Sequence, residues 1–370
     1  MPTQKPFLID VKKDLPKGPT VMLSDGSKSQ NRTYPDLLKN KVDEDNFDAL
    51  VTSELYKVSL SGALELFKTQ AIYTGESYSP DGNYLLLTTI KKPYSYIVPL
   101  SRFPQTTTVY DNSGKEIKVV NEVPLTEIMP KGFSSVRKGK RNMSWRSDKP
   151  ATLSYVIALD EGDQANKVAF RDELFQWDAP FTSEATSITK IQQRFSGMIW
   201  GNETLAIVYD DWYDTRNTKT YLINPSNPSQ APKIIFDRNS QDIYSDPGNF
   251  ETKKNQFNRE VLAIENGNTY LIGDGNTKDG QFPFIDEFNL ETLKSKRLYT
   301  SKMKDKKEDL LGIEDFKKGE VLVMIQSKND YPNYYFRNIK SKEKLTQITF
   351  FANPFESIKD VYKEVIKYKR

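Results

Sequence analysis

One pattern constrains this chain more than anything else: a polar turn followed at once by an apolar, β-branched or aromatic run, five times over. Asp81-Gly82 precedes YLLLTTI, Asp148-Lys149-Pro150 precedes ATLSYVIAL, and Gly201-Asn202 precedes TLAIVYDDW. Asn266-Gly267 then precedes NTYLIGDG, and Lys318-Gly319 precedes EVLVMIQS. Successive turns stand roughly 67, 53, 65 and 52 residues apart, in the range of repeat folds. Each run suits one buried strand, and each turn supplies residues that tolerate tight hairpin geometry.

Further strand-like segments fill the intervals. They are SYIVPL (95–100) and TTTVYD (106–111), then TKTYLIN (218–224) and PKIIFD (232–237). FIDEFNL (284–290), SKRLYTS (295–301), NYYFRNI (333–339) and LTQITFF (345–351) follow in the last two intervals. Four short antiparallel strands per interval describe a propeller blade. The chain therefore reads as all-β: a β-propeller of five four-stranded antiparallel blades plus a partial one. The partial blade is SELYKVSL (53–60) with GALELF (62–67), an outer half whose inner half is expected upstream of Met1. An unclosed ring leaves free sheet edges, so association is expected.

Helical signals are few. Thr33-Tyr34-Pro35-Asp36 matches a capping box with Pro in the first turn, which puts one or two short helices within residues 33–50. The Lys-rich end, residues 355–370, reads as a helix or as a strand leaving the repeats. Residues 1–67 are accordingly a connection plus the partial blade, 68–355 the five blades, and 356–370 a linker.

Composition removes whole classes of function. Fifty-three basic against 50 acidic residues leave a net charge of +3, too balanced for an electrostatic nucleic-acid binder. No apolar run approaches the ~20 residues of a membrane-spanning helix. The N-terminus has no apolar core of a secretory signal. The chain has no Cys and no His, which excludes disulfides, thiolate nucleophiles, a Ser-His-Asp triad and an imidazole base within it. Carboxylates, Lys, Tyr, Ser and Thr are the groups left for chemistry.

Each apparent motif has a plainer reading. Ser79-Pro80-Asp81-Gly82 is a type I turn between strands. Residues 75–79, GESYS, miss the final Gly of the G-x-S-x-G nucleophile elbow. Residues 273–280, GDGNTKDG, resemble a calcium loop, but Lys278 and the lack of a closing Glu make a Gly-rich hairpin the better account. Asp210 and Asp211 are adjacent on a strand, point to opposite faces and cannot act as a glycosidase pair with Glu173. No metal or cofactor site is expected.

The arginines stand out: Arg102, Arg137, Arg141, Arg146, Arg194 and Arg216 all lie near strand ends, where propeller loops gather. A guanidinium is a planar donor fork suited to carboxylates. The competing reading is pairing with blade carboxylates such as Asp148, Asp211 and Asp214.

At PYSYIVPLSRFP (93–104), SVRKGKRNMSWRSDKPATLSYV, WYDTRNTKTYLINP, DIYSDPG (242–248) and GQFPFIDEFNL the sequence closely resembles prolyl oligopeptidase-family serine peptidases, in their glutamyl endopeptidase-like branch. The likeness runs in order from about Arg32 to Arg370. It implies a part of a seven-bladed propeller that caps an α/β-hydrolase domain carrying Ser, Asp and His. On that resemblance the hydrolase domain and the first blades lie outside this chain, and EVIKYKR (364–370) leads toward the hydrolase. The implied role is gating and positioning of peptide substrates, with the hydrolase domain and peptides as partners. Arg102, Arg137, Arg141 and Arg216 are then the candidate substrate-binding residues, with no catalytic residue in the chain. In a bacterial parent the expected compartment is periplasmic or extracellular. The alternative is a stand-alone propeller serving as a protein-interaction scaffold.

Overall fold

The computed structural model describes residues 7–9, 34–341 and 344–358, with positions 361, 364, 366 and 368. It divides into two compact units. One runs to Asp237 and takes in Lys254–Arg259; the other holds Arg238–Lys253 and the chain from Glu260 on.

The first unit contains three blades in chain order. β1 (Ser53–Val58) pairs with the first half of the long strand β2 (Leu64–Tyr78). The second half of β2 is the first strand of a blade completed by β3 (Tyr84–Ile90), β4 (Gln105–Asp111) and β5 (Glu116–Val123). β6 (Arg141–Trp145), β7 (Thr152–Ala158), β8 (Asp172–Asp178) and β9 (Thr186–Ile191) make the next blade. β10 (Arg194–Asn202), β11 (Leu205–Trp212), β12 (Asn217–Ile223) and β13 (Lys233–Asn239) make the third. Every pairing is antiparallel between sequence neighbours, as the repeated hairpin turns require.

The second unit builds two more blades. β14 (Asn249–Phe250) pairs with β17 (Asn268–Gly273), after which come β20 (Phe284–Asn289) and β21 (Lys294–Thr300). Between them lie two small two-stranded sheets, β15 (Thr252–Lys254) with β16 (Glu260–Leu262), and β18 (Asn276–Thr277) with β19 (Gly280–Gln281). The Gly-rich segment 273–280 is thus a hairpin. β22 (Lys307–Asp315), β23 (Glu320–Gln326), β24 (Asn333–Asn338) and β25 (Leu345–Gln347) form the fifth blade.

The recurring apolar runs are the second strands of the blades. Blades pack face to face, so such a strand is covered on both sides and reads as continuous apolar sequence. Val156, Leu174 and Ile188 of one blade meet Trp200, Val208 and Tyr221 of the next in one core cluster. Leu86 and Val109 meet Leu153, Tyr155 and Phe181 in another, and Ile285 and Tyr299 meet Val321 and Val323 in the second unit. Fully burying such side chains contributes about 1.5–3 kcal/mol each. The SPDG turn caps the first hairpin as expected: Ser79 Oγ donates to Asp81 Oδ1 at 2.6 Å and Gly82 takes a φ of 74°.

Two local expectations need correction. SYIVPL is a loop ending in a short 3-10 turn at Leu100–Arg102, and the third strand of that blade is β4. Pro93, Pro99 and Pro104 remove donors that a strand there would need. The helix α1 spans Lys41–Val51, later than the capping-box reading placed it. Its cap is Asn40, whose Oδ1 accepts from the Asp43 backbone N–H at 3.0 Å. Asp36 instead adopts a φ of 56°, which no helix can use, and Thr33 lies outside the described residues. Half of residues 355–370 also lie outside them; Glu356–Ile358 is a 3-10 turn.

Candidate functional site

In an antiparallel blade, the loop from second to third strand and the connection to the next blade emerge at the same end. All four candidate arginines sit on such segments of the first unit. Arg102 lies between β3 and β4, Arg137 and Arg141 between β5 and the start of β6, and Arg216 between β11 and β12. Hydrogen bonds tie several of these loops together. Tyr213 N–H donates to Ser134 Oγ at 3.0 Å, and Gln164 Nε2 donates to Asp214 Oδ2 at 3.0 Å.

Beneath the loops is a buried charge network. Asp160 and Asp172 are fully buried, as is most of Arg194. The Arg194 guanidinium donates to Asp160 Oδ2 at 2.6 Å, Asp172 Oδ1 at 3.0 Å and the Ser134 carbonyl at 2.7 Å. Arg171 donates to the same Asp160 oxygen at 2.7 Å and lies over the Trp212 ring. Arg141 places Nη2 2.7 Å from Asp172 Oδ1. Three guanidiniums thus share two carboxylates, an excess of one positive charge in a water-poor site. Buried charge of this kind is costly unless paired.

The excess falls on Arg141. Its side chain is 9% exposed, yet its Nε and Nη2 lack a hydrogen bond of good geometry. Arg137 is its neighbour and donates to the carbonyls of Lys138 and Lys140. Burial, and then the charge of Arg141, lower the Arg137 pKa below the ordinary arginine value. Arg137 and Arg141 are therefore together, at the start of β6.

The other two candidates are elsewhere at the same blade ends. Arg216 lies 3.7 Å over the Tyr213 ring, which stacks on the exposed Phe133 at 4.3 Å. Arg102 lies 5.3 Å over the Tyr34 ring, and its carbonyl accepts from Thr126 N–H. Of the remaining arginines, Arg146 is a structural residue. It is 1% exposed, grips Asp148 through two donors and covers the Trp200 ring. Asp160, Asp172 and Arg171 were not legible as partners, because they sit on loops and strand ends that only folding brings together. Among the described residues no group of three acidic side chains could hold a metal ion.

The architecture is a β-propeller whose first unit carries a basic cluster at one end of its blades. No family model matches the chain. It is 37% identical over its whole length to a probable glutamyl endopeptidase, chloroplastic, of Oryza sativa subsp. japonica, covering 40% of that protein. A protein of the same description from Arabidopsis thaliana is 35% identical, again across the whole chain and 39% of the relative. The chain thus spans about two fifths of the length of these curated relatives and is homologous to them throughout. That homology bears out the resemblance to the glutamyl endopeptidase-like peptidases. Among solved structures, the β-propeller domain of the trilobed protease from Pyrococcus furiosus aligns with a TM-score of 0.40 at 10% identity, over 75% of this chain and 71% of that one.

Proposed function

We propose that this chain is the propeller of a glutamyl endopeptidase-like serine peptidase, which gates and positions peptide substrates for an α/β-hydrolase domain of the parent protein. The observation that carries the reading is 37% identity in an alignment spanning the whole of a chain that has no His with which to cleave a peptide itself. The buried positive excess at Arg141 and Arg137 supports it, because a partly desolvated guanidinium is a strong carboxylate partner. On this reading residues 68–355 supply the blades and 356–370 lead toward the hydrolase, and a bacterial parent acts in the periplasm or outside the cell.

Gating has a direct test in the full-length parent. One glutamyl sequence is offered as a short peptide and within an exposed loop of a large folded protein. The expected result is a kcat/KM at least about tenfold higher for the short peptide. Equal rates on both would overturn the gating role.

A further inference from the structure

A second feature of the first unit lies next to the arginine cluster. Between β6 and β10, the first strands of adjacent blades, is a cavity of about 440 Å³. Met143, Trp145, Phe195, Met198 and Trp200 are among the residues of its apolar wall. A cavity of about 150 Å³ already accepts benzene, so this one has room for a large side chain. Two methionines on the wall let it adapt to different apolar shapes.

Both flanking strands are irregular where they line the cavity. The pairing of β6 with β7 shifts between Arg141 and Ser144, with Asn142 at a φ of 52°. That of β10 with β11 shifts between Phe195 and Gly197. Each strand is also the first of its sheet, so one edge of its backbone has no neighbouring strand in that sheet. Free strand edges beside an apolar hole are the elements of extended-peptide recognition, main chain on the edge and side chain in the hole.

Charge narrows the occupant. Arg141 immediately precedes the lining residue Asn142 and stands opposite the lining residue Val156 in register. Its guanidinium carries the positive excess of the cluster described above. We propose that this cavity is a side-chain subsite for an extended peptide, taking a bulky apolar residue that neighbours an acidic one. The inference rests on the reading of this chain as a peptide-handling propeller and adds a second specificity to it.

The test measures binding to the purified chain through its tryptophan emission, since Trp145 and Trp200 line the cavity. The probe is acetyl-Gly-Glu-Leu-Gly-amide, with a Leu→Ser analogue, a Glu→Gln analogue and N-acetyl-leucinamide. Burying a leucine side chain predicts at least about a tenfold weaker Kd for the Ser analogue. Ser144→Phe and Ser196→Phe, both at exposed lining positions, should each block the mouth and weaken the Leu peptide similarly. Thermal unfolding shows which of the two retains its fold, and either suffices.

Equal binding of the Leu and Ser peptides overturns the subsite, as does wild-type binding by a folded Ser144→Phe or Ser196→Phe chain. N-acetyl-leucinamide binding as tightly as the peptide would mean a small-molecule cavity and also overturns it. If binding depends on Glu but not on Leu, the subsite falls while the peptide-handling reading stands. If no peptide binds, both fall.

Discussion

Asp210 offers the sharpest test of how the blades are held. Its side chain is fully buried, with Oδ2 accepting from Tyr221 Oη at 2.7 Å and Gln193 N–H at 2.9 Å, and Oδ1 from Lys219 N–H at 3.2 Å. Burial pushes its pKa from 3.8 up to about 6, against the opposing pull of those donors and of the Lys219 charge. Roughly two pKa units correspond to about 3 kcal/mol. The sign follows from linkage. Between pH 3.8 and about 6 the unfolded chain loses this proton first, so the native state binds more protons and stability falls as pH rises. Below that window the penalty is absent; by pH 7 it is complete.

Asp210→Asn removes the titration. Its amide N–H₂ would face the Lys219 or Gln193 donors, costing about 1–3 kcal/mol at every pH. That offset is constant, so the pH dependence isolates the carboxylate. Urea unfolding of both proteins at several pH values, followed by tryptophan emission, gives the difference directly. The wild-type stability should fall relative to the variant by about 2.5 kcal/mol from pH 4 to pH 7. A flat difference would show that Asp210 is not desolvated as its burial implies.

Three more outcomes are expected. Arg194→Met should destabilise by about 3–5 kcal/mol in thermal or urea unfolding, because Arg194 hydrogen-bonds both buried carboxylates, whereas Arg141→Met removes a cation whose Nε and Nη2 make no good hydrogen bond and should cost less; equal losses would contradict that division of roles. The purified chain should not cleave glutamyl peptides, and cleavage that survives a serine-protease contamination control would refute this. The exposed Val58, Leu64 and Leu66 on β1 and the first half of β2 should drive self-association, so light scattering should show mass rising with concentration in the wild type and a monomer in Val58→Lys/Leu64→Lys. A wild-type monomer at all concentrations would contradict that role.

The blades were legible because hairpin turns and doubly covered second strands leave a strong local signature. β11 and β23 are recognisable from their own residues, as are the turns before them. β5 was missed because EIKVVNEV mixes charges with its apolar residues, half of it lying exposed. SYIVPL misled for the opposite reason: its apolar residues suit a strand, while the surrounding prolines deny the hydrogen bonds. The arginines illustrate a deeper limit. Arg146 with Asp148 was readable, since the pair is two residues apart. The sharing of Asp160 and Asp172 among Arg141, Arg171 and Arg194 joins segments up to 34 residues apart through blade packing, which no local pattern records. Asp214, named as an arginine partner, accepts instead from Gln164.

The basic cluster should discriminate an acidic substrate from a neutral one. In the full-length parent, kcat/KM can be measured for two peptides that differ only in Glu or Gln, for wild type, Arg137→Met and Arg141→Met. A desolvated guanidinium–carboxylate contact is worth about 2–5 kcal/mol, so at least one variant should lose tenfold or more on the Glu peptide while the Gln peptide changes little. An unchanged Glu-to-Gln ratio in both variants, with only their unfolding temperatures lowered, would mean that these arginines tie blades together and take no part in recognising substrate.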